Sequence, residues 1–177
     1  KTYHNKIVKM STIDKINKLS RSEFVEVFAN IFEKTKWIAE KLYNQKPFDN
    51  FEDLCSKMLG IFKTASKEAQ LKILKAHPDL ADKAAINSLT INSRAEQSDA
   101  GLDQCSEEEF KEFKDLNKKY KQKFGFPLII AIKDKNKIDI LCEFKKRILN
   151  SVDDEFNEAI IQVSKIANLR LNEINIK

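Results

Sequence analysis

Lys75-Ala76-His77-Pro78-Asp79-Leu80 stops a helix in the middle of a chain that otherwise reads as helical. Upstream, Ser66 opens a segment with apolar Leu71, Ile73 and Leu74, and this segment runs directly into His77-Pro78. The proline ring disfavours the α region at the residue before it and removes a backbone donor. His77 is therefore expected at a helix C-terminus, off the regular spiral. The negative end of a helix dipole predicts a raised imidazole pKa there. Asp79 is expected to cap whatever follows.

Working outward, the same helical punctuation recurs. Ser20-Arg21-Ser22-Glu23 has capping-box spacing, and Phe24, Phe28, Ile31 and Phe32 then repeat on one helical face. Trp37, Ile38 and Leu42 mark a helix ending near Pro47. Asn50 is placed to cap the next, with Phe51, Leu54, Met58, Leu59 and Phe62 as its core stripe. Residues 82–105 are polar and weakly periodic, and read as the least regular part of the chain. Ser106-Glu107-Glu108-Glu109 is a second capping-box pattern, opening a long helix with Phe110, Phe113, Leu116, Asn117 and Tyr120 on one face and Gly125 as its stop. Leu128 to Ile132 is the most apolar short run. It is too short for a helix of its own, so it predicts a buried extended or tightly wound segment. Ile138, Leu141, Phe144 and Ile148 mark another helix. Ser151 and Asp154 open the last, whose face holds Phe156, Ile160, Val163, Ile166 and Ala167.

The composition agrees. With 42% hydrophobic and 33% charged residues in 177, the chain reads as one soluble globular domain rather than a disordered one. Only 3 Gly and 3 Pro argue against an all-β fold with many tight turns. No apolar run approaches the roughly 20 residues of a membrane span, and the N-terminus lacks a secretory core. The expected division is a flexible leader over residues 1–12 and a helical domain over 13–177. Cys55, Cys105 and Cys142 form no C-x-x-C pair, which disfavours zinc or a disulfide framework and fits a reducing compartment. The net charge of +5 comes from 32 basic and 27 acidic residues, interleaved, without aromatic-basic clusters. Solvated helix faces explain it better than nucleic-acid binding.

Of two histidines, His4 lies near the start of the chain and His77 at the helix break. His77 is either a histidine satisfied at a helix end or a general acid–base. Glu96 is a candidate to orient it, bind a substrate N–H or take a proton; a solvated loop carboxylate is the plainer reading. Ser93 and Gln97 supply donors and acceptors suited to an amide-rich ligand. A nucleophile elbow is absent, and a single usable histidine with scattered carboxylates lacks metal-ligand spacing. The residues alone reach a helical protein with an acid–base pocket.

The order and spacing of several motifs resemble one family, the OHCU decarboxylases of urate breakdown, which act on 2-oxo-4-hydroxy-4-carboxy-5-ureidoimidazoline (OHCU). The resemblance is carried by His77-Pro78-Asp79-Leu80-Ala81, Leu89-Thr90, Ser93-x-x-Glu96-Gln97, Ala100-Gly101-Leu102, Leu116-Asn117-x-x-Tyr120, Phe124-Gly125-Phe126-Pro127, Arg147-Ile148-Leu149-Asn150 and Lys165-Ile166-x-x-Leu169-Arg170-Leu171. It implies an all-α single-domain bundle, a homodimer, no metal or organic cofactor, and loss of CO₂ from OHCU to give (S)-allantoin. It maps the catalytic pair to His77 and Glu96. Substrate contacts map to Pro78, the segment Ser93, Arg94, Ala95, Glu96 and Gln97, and the backbone of Leu128, Ile129, Ile130, Ala131 and Ile132. Arg170 is expected to brace the last helix or touch substrate. No nucleic-acid or membrane partner is implied, and the terminal Asn175-Ile176-Lys177 is no peroxisomal address, so cytoplasm is expected over peroxisome. The competing reading is a catalytically silent helical interaction module that keeps the same fold.

Overall fold

A computed structural model describes residues 10–176. Its helices are α1 (Thr12–Lys18), α2 (Arg21–Phe28), α3 (Lys36–Tyr43), α4 (Phe51–Lys63), α5 (Lys67–Lys75), α6 (Ile91–Asp99), α7 (Glu107–Phe124), α8 (Lys137–Arg147) and α9 (Val152–Asn172). Single 3₁₀ turns lie at Ile86–Ser88 and Leu102–Gln104. There is no strand among the described residues, so the chain is all-α as its composition implies. No helix there is long and apolar enough to cross a membrane.

The helix starts follow local chemistry. Ser20 and Ser106 cap α2 and α7 in reciprocal capping boxes with Glu23 and Glu109. Asn50, Ser66 and Ser151 accept from the amide three residues on and open α4, α5 and α9. Each cap satisfies amides that a helix start leaves bare. Gly125 ends α7 at φ 79°, in the left-handed region that a side chain would strain.

α1 begins at Thr12, under a Ser11–Asp14 capping box; most of the expected leader, and His4, lie outside the described residues. Two expectations are corrected. Residues 91–99 form a helix rather than a loop. In α8 the buried residues are Ile140, Phe144 and Arg147, while Ile138 is 71% exposed. The inward face is rotated from the one marked by Ile138 and Leu141, because an arginine rather than an aliphatic residue completes it.

α9 is the axial element, packing against α4, α5 and α7. On one side Phe24, Phe28, Phe32 and Phe62 are essentially fully buried; on the other, Phe113, Tyr120 and Phe144 are. Aromatic contacts bind each group internally, such as Phe32–Phe62 at 5.1 Å and Tyr120–Phe144 at 5.8 Å between ring centroids. Burying such side chains is the main stabilising term, at about 1.5–3 kcal/mol each. This packing holds the end of α5, the inner face of α6, the C-terminal half of α9 and residues 128–132 around one small cavity.

Candidate active site

The cavity is lined by His77, Pro78, Ser93, Glu96, Gln97 and Arg170, with Leu80, Ile166 and the apolar run at Leu128, Ile129, Ile130 and Ile132. Helix α5 ends at Ala76, and the His77 amide donates back to the Leu74 carbonyl at 3.2 Å. The ring Nδ1 lies 2.9 Å from the Ile73 carbonyl oxygen. A carbonyl only accepts, so Nδ1 carries the proton and Nε2 is left with a lone pair. The helix end does act on the ring through that carbonyl, but burial acts more strongly. Burial lowers the imidazole pKa to about 4, outweighing the Ile73 bond and the nearby Glu33 charge, while Arg170 lowers it further. The raised pKa expected from the dipole is therefore wrong: His77 is a neutral base near pH 7.

The backbone after Pro78 is held by side chains. The Gln97 amide donates to the Asp79 carbonyl at 3.2 Å and accepts from the Ala81 amide at 3.0 Å. Asn117 donates to the Leu80 carbonyl at 2.8 Å. These bonds stabilise Ala81 at φ 52°, an unfavourable conformation for a residue with a Cβ. Asp79 does not cap a helix; it pairs with Lys121 at 2.7 Å.

Helix α6 explains which members of the 93–97 segment meet. Thr90 caps it, accepting from the Ser93 amide at 3.3 Å. Helical periodicity then turns Ser93, Glu96 and Gln97 inward. Arg94 and Ala95 are exposed, and Arg94 bonds Asn87 at 3.1 Å. They do not line the cavity, contrary to their expected place among the substrate contacts. Ala131 is likewise turned out of the inner cavity and lines its mouth.

Arg170 is buried between two carboxylates. Its Nε and Nη2 donate to the two oxygens of Glu96 at 2.7 and 3.1 Å. Its Nη1 donates to the Asn30 carbonyl and to Glu33, each at 2.9 Å, and its Nη2 also donates to the Ser93 hydroxyl at 3.3 Å. A guanidinium has five N–H groups, and all five are used inside the protein. Burial works against its charge, but Glu96 and Glu33 outweigh this and raise its pKa. In this arrangement Arg170 braces rather than reaches for a ligand.

Residues 128–132 are held from outside the cavity. Gln162 accepts from the Ala131 amide at 2.9 Å. Arg147 donates to the Ile129 carbonyl and pairs with the fully buried Glu155, Nε to Oε1 being 2.8 Å. Glu155 also accepts from the Tyr120 hydroxyl and, at 3.0 Å, from Asn150. Burial and the Glu155 carboxylate hold the Tyr120 phenol far above its usual range. The amides of Leu128, Ile129, Ile130 and Ile132, all residues of the cavity lining, find no acceptor among the described residues.

The inner cavity is about 30 Å³, room for a water. It shares Glu96, Ile132, Ile166 and Arg170 with an outer cavity of about 250 Å³ that also meets Lys133 and Lys135. A larger open groove of about 1010 Å³ runs between α7 and residues 79–84; it is lined by lysine stems and the Asp79–Lys121 pair and contains no histidine. No group of three metal-ligating side chains occurs among the described residues.

Sequence reasoning missed Glu33, Arg147, Glu155 and Gln162. Glu155, Gln162, Ile166 and Arg170 are spaced along the inward face of α9, so the helical period held a signal for the last helix. Nothing local singles out Glu33 among 27 acidic residues.

The chain matches the family profile described as OHCU decarboxylase over residues 17–172. It is 38% identical over 162 residues to the 2-oxo-4-hydroxy-4-carboxy-5-ureidoimidazoline decarboxylase of Haloferax volcanii, covering 92% of this chain and 95% of that one. Its mouse namesake is 34% identical, covering 90% of each. The uric acid degradation bifunctional protein of Bacillus subtilis is 38% identical over 165 residues, and there this chain spans only 33% of the relative. Among solved structures, that of (S)-allantoin synthase superposes with a TM-score of 0.72 at 26% identity, covering 92% of this chain and 53% of that one. An OHCU decarboxylase solved in the presence of (S)-allantoin shares the fold, with a TM-score of 0.67 at 22% identity over 82% of this chain and 94% of its own. The chain belongs to the OHCU decarboxylase family.

Proposed function

We propose that this chain decarboxylates OHCU to (S)-allantoin without a cofactor, with His77 as the proton-transfer group and Glu96 as its anionic partner. The observation that carries the proposal is that His77, its Nδ1 committed to the Ile73 carbonyl, lines the same cavity as the Arg170-held Glu96 carboxylate.

In OHCU the carbon that bears the hydroxyl and carboxylate adjoins the ring C=N carbon. When the bond to the carboxyl carbon breaks, CO₂ leaves and its electron pair forms a C=C bond to that neighbour. The C=N electrons move onto nitrogen, which takes a proton from water. The hydroxyl then gives up its proton as it becomes a carbonyl, and the ureido-bearing carbon gains one, fixing the stereocentre. His77 Nε2 is the base for the hydroxyl proton. The imidazolium so formed shares the cavity with the Glu96 carboxylate, whose charge stabilises it, and it returns the proton to carbon from one side. Glu96 keeps both oxygens on Arg170, so it serves as a fixed negative charge and acceptor rather than an acid.

The substrate's carboxylate and developing anion need donors, and Arg170 has none spare. The free amides of the 128–132 run supply them in an apolar wall, where each hydrogen bond counts for more than in water. Ser93 and Gln97 offer contacts for the ureido and ring amide groups. A homodimer in the cytoplasm completes the proposal; sedimentation and cell fractionation test those two points.

The test generates OHCU in situ from urate and follows circular dichroism as allantoin forms. Rapid appearance of one enantiomer is expected, with most turnover lost in a folded His77→Asn variant. Slow racemic product equal to the enzyme-free rate overturns the function and leaves the silent interaction module. Undiminished turnover by His77→Asn overturns the mechanism.

A further inference from the structure

Glu33 takes no direct part in the reaction above, yet its carboxylate is bonded to Ser93, which lines the cavity, and to Arg170, which holds Glu96. It lies just beyond α2, beside Lys34 at φ 49°, and is 1% exposed. One oxygen accepts from Thr90 Oγ1 at 2.8 Å; the other accepts from Ser93 Oγ at 3.0 Å and Arg170 Nη1 at 2.9 Å. Glu33 does not line either cavity of the site. A carboxylate so deeply buried is a poor device for stability alone, since apolar packing of equal volume does as well or better.

Its geometry has a specific consequence. A guanidinium is a rigid plane, so fixing one edge fixes the direction of the other. Glu33 and the Asn30 carbonyl hold the Nη1 edge of Arg170. The opposite edge then meets both oxygens of Glu96, and Nη2 also meets Ser93. We infer that Glu33 is a positioning residue for the decarboxylation: by holding the Nη1 edge of Arg170, it sets the orientation in which Glu96 meets the substrate. The inference rests on the function proposed above.

The experiment compares Glu33→Gln, Glu33→Asp, Glu96→Gln and the Glu33→Gln/Glu96→Gln double variant in the full chain. Glutamine keeps the volume of Glu33 but turns an NH₂ toward either Arg170 or the two hydroxyls. Glu33→Gln is expected to lower kcat about 10- to 100-fold while KM stays within about threefold, as misorientation of a positioned group does. Glu33→Asp, which keeps the charge on a shorter stem, restores part of that loss. Because the effect passes through Glu96, adding Glu33→Gln to Glu96→Gln lowers kcat by less than about threefold more. A folded Glu33→Gln with wild-type kcat overturns the inference, as does the same fall in both backgrounds. If Glu33→Gln does not fold, Thr90→Val replaces it in the same cycle: loss that vanishes in the Glu96→Gln background supports the inference, and loss of equal size in both backgrounds overturns it. A wild type without turnover removes the proposed function and this inference together; an active wild type with an unaffected Glu33→Gln removes the inference alone.

Discussion

Arg170→Met removes the one cation that two carboxylates share, and the structure says how the cost divides. Glu96 loses both of its guanidinium bonds, but its side chain is 34% exposed and water can replace them. Screening makes that half of the pair worth little. Glu33 is 1% exposed and cannot rehydrate. It keeps the Thr90 and Ser93 hydroxyls and loses the one ion pair it makes among the described residues. Breaking a buried pair from one side costs about 3–5 kcal/mol, and the two hydroxyls put this case near the lower figure. For a chain of this length, each kcal/mol moves Tm by about 2–4 °C, so a loss of roughly 6–12 °C follows. Far-UV circular dichroism in a urea titration at neutral pH measures the change.

The discriminating control is Arg170→Met with Glu33→Met. If the cost is a stranded charge, replacing both partners with apolar side chains returns stability to within about 1 kcal/mol of the wild type. The double variant stays inactive, because Glu96 is unheld. A single variant that loses less than about 1 kcal/mol, or a double variant less stable than the single, refutes the reasoning, since the network would then not be carrying buried charge.

Three other perturbations give separate tests. Burial lowers the His77 pKa from 6.5 to about 4, so its contribution to stability is complete above pH 6.5 and is lost as pH falls toward 4; His77→Asn flattens that part of a stability–pH curve, by roughly 3 kcal/mol at most, and wild-type kcat/KM holds level from pH 7 to 5. Glu155→Gln strands Arg147, which is 2% exposed, at a cost of about 3–5 kcal/mol; hydrogen exchange at residues 128–132 rises and turnover falls with it. Gly125→Ala forces a side chain into φ 79° with no clash around it, so about 1 kcal/mol of stability is lost in a urea melt while turnover per folded molecule is unchanged.

Much of the fold was legible because helix starts and stops are written in a few residues. Ser20, Asn50, Ser66, Ser106 and Ser151 each cap the helix they were expected to open, and Gly125 ends α7. Pro78 stops α5 for a local steric reason, which also places His77. The error on its pKa has a physical cause too. A dipole is a property of the local sequence, whereas burial depends on what the rest of the chain packs over the ring, and burial was the larger effect. Glu33 shows the same limit from the other side: its partners Ser93 and Arg170 lie far along the chain, and no local pattern joins them.

Helix α6 shows why the site hid where it did. A helix announces itself by an apolar stripe, and the buried positions of α6 are Ser93 and Gln97. With Glu96 beside them, the inward face is polar, so the segment reads as loop although Thr90 caps it properly. The face lines the small cavity, and its polar groups avoid the cost of burial by bonding to Glu33, Arg170 and the backbone of Asp79 and Ala81. α9 instead carries Glu155, Gln162 and Arg170 on an inward face that is otherwise apolar, so it still reads as a helix. Where a helical period is kept but its inward positions are polar, those positions mark where buried side chains meet other polar groups rather than an apolar core. Read with that rule, the alignment of Ser93, Glu96 and Gln97 separates them from Arg94 and Ala95, a distinction that motif spacing alone did not make.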